Sequence, residues 1–374
     1  MVDAGSSLGE VFVIDGGFNL VARAQGKLDT LLPAGDYLVK YRNGDRYDEH
    51  WVELTEDVSK TWQEAPIPPT AAPISERAGW GTADSDFADG LRRRRRLSVI
   101  VRGEDGTPPL DDVQILDRTG EKIVRMADAT AMGWDLGSSE RTAGFGGDVA
   151  DGCYLLRVAT PGLRPYIMAL WVARDCSTQI YMDRRSLGVR GVKRKGPHMS
   201  SASIFVAQQS APLHELKPLM QLTESAKSVL SYDRLLLPEE EEIRQAASGK
   251  MLCPIAGLLA GHLLRLKVED AIAKAEPQAE KLRSLLLEVI GNMSYLMPGS
   301  PDVGALALSQ GLPTDADFGA PPMLAHSWAI ISGMDRPVIP PGSYASRIRP
   351  AVVAVRPWLL WNQSLMVKRK KPGA

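Results

Sequence analysis

Three cysteines, five histidines and several runs of like charge carry most of the covalent, metal or acid–base chemistry open to this chain. A cysteine nucleophile needs a positioned histidine, and the closest such pair in sequence is Cys253 with His262. A continuous helix would turn them about 900° apart, onto opposite sides, unless Pro254 leaves Cys253 outside the helix. The expected reading is therefore a small buried cysteine and a capping or interface histidine. Ser327 beside His326 has no better spacing. An enzyme with a site between domains would draw first on His262, Cys253, His326 and Asp302.

Metal chemistry needs convergent ligands. The histidines, at 50, 198, 214, 262 and 326, are scattered, with neither HExxH nor an ordered Asp/Asn calcium loop. Asp111, Asp112 and Asp117 read as solvated carboxylates around a hairpin, with a surface calcium site as the alternative. Neither GxGxxG nor GxxxxGK[ST] occurs, so nucleotide-driven work has no motif to stand on. Glu239 to Glu242 are consecutive at a helix start and would spread around it instead of meeting across a sugar. No cofactor and no metal are expected.

The basic runs are Arg92 to Arg96, Lys193 to Lys195 and Lys368 to Lys371, all in linkers or near the terminus. No helix-turn-helix, zinc finger or nucleic-acid sheet signature accompanies them, so specific nucleic-acid binding is not expected. The first run can dock onto the preceding Asp84, Asp86 and Asp89, or onto an acidic protein partner. Arg92, Arg93, Arg94, Arg95 and Arg96, with Trp358 and Trp361, are the candidate partner-binding residues.

The elements behind these residues follow from periodicity and breakers. The chain has 374 residues, 44% of them apolar, with 44 Lys plus Arg against 45 Asp plus Glu. That length allows two or three cores, and the charge balance is unlike a polybasic nucleic-acid coat. Three cysteines without short spacing argue against a disulfide framework and for a reducing cytoplasm. The opening MVDAGSSLGE lacks a basic start, and no 18-residue apolar run occurs, so neither secretion nor a membrane span is expected.

Residues 1–60 read as a small β module, with YLVKY as a strand and RNGD as a hairpin turn. Residues 61–96 read as a Pro-rich, acidic then Arg-rich linker or strap, 97–182 as a β-sandwich-like domain and 183–200 as a basic hinge. From 201 to 364 the period changes to that of about six helices, and 365–374 form a basic tail. Within the helical part, Ala256, Gly257, Ala260 and Gly261 would let another backbone approach closely. Ser300, Pro301 and Asp302 make a helix start. The fold class is thus multidomain α+β: antiparallel β-sandwich-like modules, then an all-α domain. LPAGDYLVKYRNG (32–44) and VADGCYLLRVATPG (149–162), each followed by a tryptophan-bearing strand, suggest an internal repeat.

LSVIVRGEDGTPPLDDVQILDRTGEK followed by ADGCYLLRV resembles the first hairpin and returning strand of the carboxypeptidase regulatory-like, or prealbumin-like, sandwich. The resemblance covers about 85 residues and implies an accessory module that supplies packing or recognition. It transfers no functional residue. The leading expectation is a non-catalytic intracellular scaffold or adaptor with a protein partner. An enzyme, possibly a hydrolase, with a site between β and helical parts is one alternative. Glycan or peptide recognition near Tyr37, Tyr41, Tyr154 or Trp171 is the other.

Overall fold

The computed structural model describes residues 1–3, 10–43, 46–55, 60–61, 70–74, 82–103, 113–139, 141–160, 162–189, 192–199, 202–231, 240–353 and 357–366. The strap prolines at 66, 68 and 69, Trp62, Trp80, Asp111, Asp112, Glu239 and the Lys368 to Lys371 tail lie outside them. So do the side chains of His214, Glu242 and Lys193 to Lys195.

Alternating apolar residues place the first strands, because successive side chains point to opposite faces. They are β1 (Val2–Asp3), β2 (Glu10–Asp15), β3 (Leu20–Gln25), β4 (Lys27–Leu28), β5 (Gly35–Asn43), β6 (Arg46–Leu54) and β7 (Lys60–Thr61). An antiparallel sheet runs in the order β3-β2-β5-β6, and β1 lies between β4 and β7 in a second, smaller sheet. One face of the larger sheet, bearing Val11, Val13, Tyr37, Val39 and Tyr41, closes with Leu28 into a small core of its own.

The sequence between this module and the sandwich, read as a linker, contains a helix, α1 (Thr82–Arg94). Few of its residues are apolar, so periodicity did not announce it. Its acidic start at Asp84 and basic end at Arg92 to Arg94 match the helix dipole. Residues 70–74 are also buried against the sandwich, so these parts of the strap are ordered structure.

The sandwich is built from β8 (Leu97–Arg102), β9 (Val113–Asp117), β10 (Lys122–Arg125), β11 (Asp135–Ser138), β12 (Thr142–Gly147), β13 (Gly152–Val158), β14 (Tyr166–Val172), β15 (Cys176–Val189), β16 (Val192–Pro197) and β17 (Ser203–Gln208). Two short C-terminal strands, β18 (Val352–Val353) and β19 (Leu360–Asn362), complete it. One sheet runs β11-β12-β8-β15-β16 with β17 also on β15, and the other runs β10-β9-β13-β14-β19-β18. The β8–β15 pair is parallel, which requires the long crossover between them. The hairpins β5–β6 and β13–β14 are the two halves of the sequence repeat, each flanked by an antiparallel neighbour, β2 or β9.

Strand β12, TAGFGG, shows why α1 can lie on this sheet. Phe145 points into the sandwich core, while Gly144 and Gly146 face the helix. A Cβ at Gly144 would lie 3.3 Å from the Phe87 ring, and one at Gly146 would lie 3.2 Å from Leu91. Ala88 and Leu91 of α1, with Ala71, Ala72 and Ile74, cover Ile100, Tyr181 and Phe205 on that outer face.

Helices α2 (Leu213–Ser231), α3 (Glu240–Ser248), α4 (Pro254–Ala273), α5 (Ala279–Leu296), α6 (Pro301–Ser309), α7 (Ala325–Ser332) and α8 (Tyr344–Ile348) follow. Helix α2 continues through Pro218, although a proline removes one hydrogen bond from a helix interior. Helix α4 is central and buried over most of its length. A Cβ at Gly261 would come within 2.8 Å of Leu306, and one at Gly257 would lie 3.0 Å from the Met293 sulfur, so the small residues do admit α5 and α6. No helix among the described residues is long and apolar enough to cross a membrane. The helical core and the sandwich core form one continuous apolar cluster.

Candidate functional site

The residues named for catalysis divide into two groups. Cys253 is the N-cap of α4, buried and in contact with the Thr223 hydroxyl of α2. Burial pushes its thiol up to about 11, and the Cys153 and Cys176 thiols up to about 12. The reactive thiolate is therefore scarce at neutral pH at all three positions.

His262, Asp302 and Ser327 do converge. Helix α4 supplies His262, the first turn of α6 supplies Asp302 and α7 supplies Ser327. The Ser327 Oγ lies 3.0 Å from His262 Nε2 and also hydrogen-bonds Asp302. Asp302 Oδ2 accepts the Met323 N–H at 2.7 Å, and Oδ1 accepts the Leu324 N–H at 3.0 Å. All three side chains are shut off from solvent, at 0%, 1% and 0% exposure for His262, Asp302 and Ser327. His326, on the adjoining position of α7, places Nε2 3.0 Å from the Leu230 carbonyl, and its ring centroid is 6.1 Å from that of His262.

Electrostatics fix the sense of these bonds. Burial drives the His262 imidazole well below its ordinary value, with His326 and Arg265 adding to the shift, so the ring is neutral. Burial pushes the Asp302 carboxyl up to about 6, against the opposing pull of the Ser327 hydroxyl and the two backbone N–H groups. At neutral pH the carboxylate accepts from Ser327 O–H, which in turn accepts from His262 Nε2–H. That assignment leaves Nδ1, which has no partner, as a lone pair and not as a buried donor. In a serine triad the histidine stands between nucleophile and acid. Here the serine stands between histidine and acid, and the hydroxyl joins three helices.

The network also anchors the chain that leads back to the sandwich. Met323 and Leu324, held by Asp302, bond in turn to the C-terminal segment: Leu359 N–H donates to the Met323 carbonyl at 2.7 Å, and Leu324 bridges Trp358. Three residues further on, Trp361 in β19 pairs with Ile167 of β14.

The candidate partner-binding residues are largely engaged within the chain. Trp358 and Trp361 are fully buried, and the Trp358 indole donates to the Ala202 carbonyl at 2.7 Å. Arg92 is 2% exposed and binds Asp89 together with the carbonyls of Gln208 and Ala211. Arg95 bridges Asp135 and Asp148, and Arg96 binds Asp151 and the Ala173 carbonyl. Arg93 pairs with Asp89, and Arg94 reaches the Gly90 carbonyl. Of the three expected acidic partners, only Asp89 is paired with the run; Asp84 instead accepts from Thr142.

Among the β-module aromatics, Trp171 is buried, and Tyr154 donates to the Ala150 carbonyl. Tyr37 and Tyr41 line an apolar cavity of about 180 Å³ with Val13, Leu28, Val39 and Leu54. The opposite face of the same sheet carries a row that the sequence reading missed. Ile14 pairs with Leu38 and Leu38 with Trp51, so three apolar side chains stand in register across β2, β5 and β6, and a register shift between Val13 and Ile14 sets Leu20 of β3 opposite Ile14. Trp51 is 59% exposed and Leu20 50% exposed. Alternation places Ile14, Leu38 and Trp51 on the face away from the core, whereas Leu20 shares the parity of the core-facing Ala22 and Ala24 and meets Ile14 only through the register shift in the β2–β3 pair. Asp36 and Glu53 oppose each other beside the row, and Lys40 pairs with Glu49 on its other side.

Among the described residues no group of three or more His, Cys, Asp or Glu side chains is arranged to hold a metal ion. Comparison with protein-family models, with curated proteins and with solved structures finds no match.

Proposed function

We propose that this protein is a non-catalytic scaffold or adaptor within a multiprotein assembly, and that its N-terminal β module is the recognition element. The observation that carries this reading is the row Ile14, Leu38 and Trp51, with Leu20 beside it, on the sheet face away from the module's core: it is half-buried in the middle and exposed at Leu20 and Trp51. Exposed apolar groups in register across a sheet are surface that a partner can bury, and an aromatic at the end of such a row is a typical anchor. Like charges directly opposed across strands are unfavourable. The Asp36–Glu53 pair therefore favours a partner with an apolar stripe flanked by basic side chains. The prealbumin-like character of the second β region fits an accessory module, and the three free, buried cysteines fit a reducing cytoplasm.

The test is affinity purification from the native cell of the full chain and of the double variant Leu20→Ser, Trp51→Ser. Both positions are exposed, so the variant should keep wild-type stability within about 0.5 kcal/mol. A stoichiometric partner present with the wild type and lost with the variant is the expected result. Identical recoveries from both would defeat the assignment of this face.

The apolar cavity behind Tyr37 and Tyr41 favours a second reading, a binding module that takes an apolar side chain of a peptide. The enzyme alternative has the convergence of His262, Asp302 and Ser327 in its favour and their complete burial against it.

A further inference from the structure

At the junction of the sandwich and the helical region, a cavity of about 250 Å³ is lined by Arg118 and Thr119 from the β9–β10 turn, Asp317 and Gly319, and Tyr344 and Arg347 from α8. We propose that this cavity binds a small soluble oxyanion, through the carboxylate or phosphate group of the ligand.

Arg347 is the central cation of this cavity. A guanidinium stays charged and presents five N–H donors in a fixed plane. Here the Nε is shut off from solvent without a partner, and the nearest acceptor for Nη2 is the Thr119 carbonyl at 3.5 Å, the limit of a hydrogen bond. The remaining contact is the Tyr344 ring, 5.0 Å below the guanidinium carbon, which offers no lone pair. With Nη2 held only at that limit, the acceptor that suits the outer end of the guanidinium is an oxyanion, which it can grip with two parallel bonds.

Arg118 supplies a second cation from the other wall. Its Nη1 is 3.3 Å from Asp317 Oδ2, in a pair that is 68% and 49% exposed. Such a pair is weak and exchanges readily. The other oxygen of Asp317 is fixed by the Gly319 N–H at 3.0 Å. Two guanidiniums and one carboxylate leave the cavity with one positive charge in excess, which an incoming oxyanion neutralises. The volume suits a phosphate or a small dicarboxylate. Arg118 and Arg347 come from elements more than two hundred residues apart, so neither wall holds the pair without the other.

The test uses the full chain at constant ionic strength set with sodium chloride. Inorganic phosphate and succinate are titrated separately, with isothermal calorimetry as the readout. Saturable one-site binding of at least one probe is expected, and the better probe distinguishes a phosphate from a carboxylate ligand. Arg347→Gln should raise Kd by about tenfold or more, the scale of one charge-assisted hydrogen bond. Arg118→Gln, at an exposed position, should weaken binding while leaving the melting temperature unchanged. Asp317→Asn keeps the acceptor for the Gly319 N–H but removes the competing charge, and should tighten binding several-fold. That opposite sign is not expected of a purely structural pair. Absence of saturable binding by either probe, or binding indifferent to Arg118→Gln and Asp317→Asn, would overturn the proposal even if Arg347→Gln fails to fold.

Discussion

At the scale of single residues, the network of His262, Ser327 and Asp302 sets a pH dependence whose sign can be worked out. The Asp302 carboxyl is raised to about 6 in the folded chain. From its ordinary value near 3.8 up to about 6 the folded state holds the extra proton, so its contribution is present at low pH and lost as pH rises through that window. His262 acts in the opposite sense: its folded value lies well below 6.5, so the unfolded chain takes up the proton first and stability grows as pH rises toward 6.5. The two effects oppose each other in the acid range. His262→Gln removes the imidazole titration and keeps an N–H for Ser327. In urea unfolding, the stability difference of wild type over His262→Gln should therefore increase between about pH 4.5 and pH 7. A difference independent of pH would mean that His262 is not held neutral in the core. His262 and Asp302 were visible in the sequence as residues to inspect, but Ser327 gained its place between them only through the crossing of three helices.

At the scale of elements, glycine content and charge order do what periodicity did not reveal. Helix α1 has too few apolar residues to read as amphipathic, and it is held by Phe87, Ala88 and Leu91 over a strand whose facing side chains are glycines. Gly144→Val would place branched carbons against Phe87, Ile100 and the Val99 carbonyl. Overpacking of this kind should cost about 1–3 kcal/mol. Limited trypsin digestion supplies a local readout, since a lifted α1 exposes Arg92 to Arg96 to cleavage. Unchanged resistance at these arginines in Gly144→Val would show that α1 is not seated by the glycine face. The arginine run is legible in the sequence as a docking element, and of the expected carboxylates Asp84, Asp86 and Asp89 only the last is paired with it. Among its other acceptors, the carbonyls of Gln208, Ala211 and Ala173 and the carboxylates of Asp135, Asp148 and Asp151 come from the sandwich and its flanks.

At the scale of the whole molecule, the chain closes on itself. Strand β17 and strands β18 and β19 fall within the stretch read as helical, yet β17 pairs with β15 and β19 pairs with β14. The buried Lys227 of α2, paired with Glu224, adds a cross-connection by reaching the Ala202 carbonyl and Ser203 Oγ at the start of β17. A chain ending at residue 350 would open the β14 edge and remove both Trp358 and Trp361 from the core. It is expected to lose its cooperative thermal transition and to bind a dye for exposed apolar surface. The segment 201–364 expressed alone should likewise fail to fold cooperatively, because its terminal strand has no sheet to join. A sharp unfolding transition and native-like helical circular dichroism from that segment would show that the two regions are independent.

What the sequence determined by itself was local. The two β regions, the helical half, the helix starts at Pro254 and Pro301, the close-approach glycines of α4 and the repeated hairpin all follow from periods of 2 and 3.6 and from turn chemistry, which act over a few residues. The tertiary structure decided the rest: the alignment of Leu20, Ile14, Leu38 and Trp51, the meeting of Arg118 with Arg347, the Asp302–Ser327–His262 connection and the return of Trp361 to β14. The physical reason is that each depends on strand register or on helix crossing. These are selected by burial summed over the whole core and by hydrogen bonds between residues far apart in the chain, and no short window of sequence contains that sum.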